Sequence, residues 1–275
     1  MSSDGAPPIL AAKAYAAASV FEPANLLREA RRQKGLPQEA VPEICVLDPD
    51  GDILRALRRA GRATPSPGWA CYHTELFEFE HQATRFGIIG CAVGASFAVL
   101  LAEELFVSGC GFLISVTSAG QIAAPATHNG GPPPYFVVID RALRDEGTSY
   151  HYLPPADFAA ADPALVADAM RALGEVGLPV YQGAAWTTDA PFRETEAAIG
   201  RARTHGILAV EMEAAALYAF ARARDKPVLC LAHVTNQMAV EAGDFEKGEA
   251  DGAHASLTVI AAVAGAWRRR QGFAR

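Results

Sequence analysis

The sequence predicts an α/β protein whose helices cover both faces of a central sheet. Two observations predict it. From residue 43 onward, short apolar runs alternate with helical patterns, the arrangement that buries a sheet between helices. The 275 residues are 51% hydrophobic and 20% charged, the balance of a globular chain with a large core.

Residues 1–40 are polar, Ala-rich and punctuated by proline, with a helix expected over Asn25–Gln33. They read as an extension, a lid or a subunit arm, ahead of a body spanning 41–275. Strands are expected at Glu43–Leu47, Phe86–Ile89, Phe112–Thr117, Tyr135–Ile139, Val180–Ala184, Ile207–Val210 and Val228–Val234. Helices are expected at Ile53–Ala60, Ser96–Val107, Pro163–Leu173, Glu213–Arg224 and Ala253–Arg270, the second stopping at Gly109 and the fourth before Pro227. Gly130–Pro134 and Tyr152–Pro155 read as loops, and no internal repeat is evident.

A net charge of -7 excludes a surface built to neutralise nucleic-acid phosphates. The one basic run, Arg268-Arg269-Arg270, is expected to complement the dipole at the end of the last helix. Five scattered cysteines lack CxxC or Cys/His ligand spacing and read as thiols in a reducing compartment, so no metal site is expected. With no leader pattern and no apolar run of spanning length, a cytoplasmic protein without membrane contact is expected.

The densest chemistry lies in 207–224, where an apolar strand runs into Glu211 and Glu213 and then an alanine-rich helix. A strand handing over to a helix places those acids at a ligand-binding edge of the sheet. It also places them at a helix N-terminus, where they would complement the dipole. Spacing alone leaves both readings open.

Glu211-Met212-Glu213-Ala214 resembles the signature of the nucleoside phosphorylase family, which includes uridine phosphorylase, hexameric purine nucleoside phosphorylase and methylthioadenosine nucleosidase. The resemblance covers roughly 43–270 and implies a three-layer αβα fold with a central mixed sheet, a nucleoside as substrate and a homo-oligomer, dimer or hexamer. It implies that Glu213 accepts hydrogen bonds from ribose hydroxyls while Met212 packs on the sugar. Phe86 to Leu105, with Gly87, Gly90 and Gly94, is similar to the family's strand, glycine turn and helix; Thr117-Ser118-Ala119-Gly120 resembles its phosphate or water turn. Gly94, Thr117 and Ser118 are thus the expected anion or water site. Gly147 to Tyr152 matches a further stretch, with His151 expected to be structural. Trp186 to Arg193 resembles the base-stacking segment, where Phe192 fits with a one-residue slip. Phe192, Arg193 and Glu211 are the expected base contacts.

The sequence departs from the family at three places. Leu47-Asp48-Pro49-Asp50-Gly51-Asp52 stands where a phosphate-binding Gly-Asp-Pro-x-Arg turn is expected, and Ile114 replaces a second phosphate arginine. A buried phosphate without a cation faces a large desolvation cost. Thr235-Asn236 stands where purine-cleaving relatives have Ser-Asp, and an amide donates a hydrogen bond but no proton. The leading expectation is phosphorolysis of uridine or a 6-oxopurine nucleoside, with inorganic phosphate as co-substrate, Asn236 stabilising the departing base and no organic or metal cofactor. The alternatives are hydrolysis, with Asp52 or Asp50 activating water, and a non-catalytic nucleoside-binding module.

Overall fold

Two strands buried along their whole lengths, Ile44–Asp48 and Val228–Asn236, set the architecture, because a strand reaches that state only when both faces of its sheet are covered. The computed structural model describes residues 7–11, 13–126, 133–238, 244–245 and 247–272. In chain order the elements are α1 (Pro23–Lys34), β1 (Ile44–Asp48), α2 (Asp52–Arg59), β2 (Thr64–Pro65), β3 (Phe77–His81), β4 (Thr84–Gly90), α3 (Ala95–Val107), β5 (Phe112–Gln121), β6 (Tyr135–Asp145), β7 (Phe158–Ala160), α4 (Pro163–Leu173), β8 (Val180–Thr188), α5 (Glu196–Thr204), β9 (Ile207–Glu211), α6 (Ala214–Arg224), β10 (Val228–Asn236) and α7 (Ala253–Arg270).

The strand order is β10-β6-β8-β9-β5-β1-β4-β3-β2, and β10 also pairs with β5. β5 runs parallel to β1 and β10 and antiparallel to β9 at Gly120 and Gln121, so β5, β10, β6, β8 and β9 close into a ring. The sheet is therefore mixed, as the resemblance implies. All seven expected strands are present, and α4 and α7 have the expected bounds. The three arginines do end α7.

β2, β3, β7 and α5 were not foreseen. β3 pairs with β4 through Gln82 and Ala83, both at positive φ (47° and 56°), instead of the Asn-Gly or Asp-Gly that marks a hairpin in sequence. Of the expected loop at Gly130–Pro134, residues 130–132 lie outside the described residues. α1 is tied to the body: Arg31 donates to the Gly68 carbonyl at 3.1 Å, Lys34 to the Cys71 carbonyl at 2.5 Å, and the Tyr72 hydroxyl to Gln33 at 2.7 Å.

Candidate active site

The segments leaving β1, β5, β9 and β10, with Val93 ahead of α3, line one cavity of about 330 Å³. That volume suits a small ligand. Its polar wall comprises Asp50, Thr117, Ser118, Glu211, Glu213 and Asn236; Met212, Val210, Met238, Phe192 and Phe245 supply apolar surface.

Glu213 stands at the N-cap of α6 and is 1% exposed. One carboxylate oxygen accepts the Gly94 N–H at 2.7 Å. The other is buried and makes no close hydrogen bond among the described residues, although the Thr117 hydroxyl faces the carboxylate and favours its charged form. Burial first, and then the neighbouring Glu211 charge, raise its pKa well above the carboxylate range. A buried acceptor with an open valence costs free energy until a donor reaches it, and ligand hydroxyls are suitable donors. Gly94 can approach because it adopts φ +96°, which disfavours a side chain.

Glu211 behaves differently. The Thr187 hydroxyl donates to one of its oxygens, and the other accepts the Glu213 and Ala214 N–H groups at 2.7 Å each. It caps the exposed amides of α6, and its acceptors are already engaged. The dipole-complementing reading thus accounts for the hydrogen bonds of Glu211, which also lines the cavity. Met212 lines the cavity between the two acids.

On the opposite wall the Asp50 carboxylate accepts the Ser118 N–H at 2.7 Å. Asp52, favoured from sequence as the water-activating acid, is absent from the cavity lining; it pairs with Arg55 and with Lys247, the latter at 2.5 Å. Asp52 begins α2 whereas Asp50 precedes the turn at Gly51, and both line a smaller recess with Thr117, Ser118 and His233; of the two acids only Asp50 also reaches the cavity. Lys247 Nζ lies 4.0 Å from Asp50, bridging the two acids. Beneath them His233 stacks on Phe136 at 4.4 Å, and burial, helped by the Lys247 charge, lowers its pKa to about 4. Asp48 is deeply buried and accepts the Leu54 N–H at 2.9 Å; burial raises it to about 7.

At the far end Asn236 accepts the Met238 N–H at 2.9 Å and donates to the Thr235 hydroxyl at 3.2 Å. With the oxygen engaged, its amide presents mainly donor character to the cavity. Phe192 forms the rim, fully exposed at 101%. Arg193, beside it, points to solvent and does not line the cavity. Glu194 does, and burial raises its carboxyl to about 6. Sequence reading missed Glu194, Phe245 and Lys247: the first follows Phe192 with no diagnostic spacing, and the other two arrive from a segment remote in the chain.

Residues 43–264 match the Phosphorylase superfamily, and the chain belongs to that superfamily. Solved structures share its fold. Uridine phosphorylase from Vibrio fischeri ES114 superimposes with a TM-score of 0.67 at 22% identity, covering 83% of this chain and 93% of its own. Purine nucleoside phosphorylase from Toxoplasma gondii, in complex with immucillin-H, gives 0.68 at 16% identity, covering 85% and 94%. The 5'-methylthioadenosine/S-adenosylhomocysteine nucleosidase from Neisseria meningitidis, in complex with methylthio-immucillin-A, gives 0.63 at 20%, covering 80% and 97%. No curated protein sequence was found to match.

Proposed function

We propose that the chain is a nucleosidase, hydrolysing the N-glycosidic bond of a nucleoside to free base and ribose. One observation carries this choice over phosphorolysis. The two backbone amides of the expected anion site, Gly94 N–H and Ser118 N–H, are already bonded to the chain's own carboxylates, Glu213 and Asp50. A phosphate dianion there would meet two acidic side chains in place of the missing arginines, and the two cations beside Asp50, Lys247 and Arg55, are both already paired with Asp52.

In this reading the free oxygen of Glu213 accepts the ribose 2′-hydroxyl, and Met212 packs on the sugar. Water held by Asp50 attacks C1′ as the glycosidic bond breaks, through an oxocarbenium-like transition state. The water proton passes to Asp50, and the bond electrons leave with the base. Asn236 donates to an acceptor on that base, consistent with uracil or a 6-oxopurine. Glu194, held near neutrality at the same end, supplies the base with a proton, and the Phe192 ring closes over it. Positioning and charge stabilisation account for most of the acceleration.

The test is to incubate inosine, guanosine, uridine, adenosine and methylthioadenosine with purified protein, with and without phosphate, and follow free base. Release independent of phosphate supports the proposal. Release that requires phosphate restores phosphorolysis, and binding without release refutes both.

A further inference from the structure

Remote from the nucleoside cavity, Cys71, His73 and Glu104 place a thiol, an imidazole nitrogen and a carboxylate oxygen within 4.8 Å of one another. The first two come from the segment 68–73 on which α1 docks, the third from the buried face of α3. Cys71 Sγ lies 3.9 Å from His73 Nδ1. Sequence spacing gave no signal for this group, because its third member joins only when α3 folds against the turn.

Glu104 is 2% exposed, and neither of its oxygens makes a close hydrogen bond among the described residues; the Cys71 thiol, a weak donor, is the side chain that faces it. Burial raises its pKa, and that of Cys71 as well. Lys34, the nearby cation, donates instead to the carbonyls of Ala70 and Cys71. A carboxyl buried this deeply with only a thiol beside it is costly to ionise, and a bound cation would remove the cost.

We propose that Cys71, His73 and Glu104 form a binding site for a divalent transition metal of the zinc type. One thiolate, one imidazole and one carboxylate match the donor preference of zinc. Its bond lengths space tetrahedral ligand atoms roughly 3.3–3.7 Å apart, so closing the present group requires movements of about 1 Å. His73 is exposed, which leaves the fourth position to water. The metal would clamp the turn carrying α1 onto α3, the helix that begins at Gly94.

The full-length protein, stripped with chelator, is titrated with zinc and separately with cobalt(II). One equivalent should bind, cobalt should show a thiolate-to-metal charge-transfer band, and zinc should raise the melting temperature. Cys71→Ser should abolish the band, and His73→Ala, a solvent-facing change that leaves the core intact, should weaken binding at least tenfold. Absence of zinc binding, cobalt binding without the thiolate band, or equal affinity in wild type and His73→Ala would each overturn the proposal.

Discussion

The Asp50 carboxylate accepts the Ser118 N–H at 2.7 Å in the lining of the cavity. This pairing ties the turn after β1 to the end of β5, and it sets an acid where an anion would otherwise bind.

Asp50→Asn keeps an oxygen to accept the Ser118 N–H and removes the proton acceptor. The expected outcome is a loss of about 10²- to 10⁴-fold in kcat with KM little changed, the scale of a general base. Steady-state kinetics check it, and a kcat within tenfold of wild type would remove Asp50 from the chemistry.

Glu213→Gln replaces the free acceptor oxygen with a donor. Leaving a buried hydrogen-bonding group unpaired costs about 1–3 kcal/mol, so kcat/KM for a ribonucleoside should fall roughly 5- to 150-fold. The matching 2′-deoxynucleoside, which lacks the hydroxyl, should lose much less. Equal losses on both substrates would place Glu213 away from the sugar.

Phe192 is fully exposed, so its removal costs the fold little. Phe192→Ala should leave the melting temperature unchanged and raise KM about 2- to 10-fold through lost stacking on the base. Calorimetry with kinetics separates the two effects; an unchanged KM would deny the ring a part in binding.

Asp48 gives a pH dependence of defined sign. Its carboxyl is raised from 3.8 to about 7 in the fold, so the folded protein holds the proton more tightly than the unfolded chain. The resulting stability is fully present below pH 4 and is lost as pH rises through about 7. Asp48→Asn, which preserves an acceptor for the Leu54 N–H, should flatten that decline in unfolding free energy. A wild-type slope in the variant would show that Asp48 is not its source.

The periodicity of the apolar runs made the strands and most helices legible, because buried strands such as β1 and β10 consist of little else. β3 escaped because an Ala at positive φ closes its hairpin. At the site, the spacing of Glu211 and Glu213 marked a strand-to-helix junction, but only geometry separates the cap from the acid with a free oxygen. Asp50 and Asp52 are two residues apart in one acidic turn; which of them faces the cavity depends on where α2 begins. Lys247 and Glu194 became site residues through tertiary packing, which no local pattern encodes.

The central claim, that water and not phosphate attacks the sugar, is tested most directly by the identity of the sugar product. A reaction run in phosphate buffer is followed by phosphorus NMR while base release is monitored in parallel. Hydrolysis gives free ribose in step with the base and no ribose 1-phosphate resonance; such a resonance growing in proportion to released base would mean that phosphate is the nucleophile.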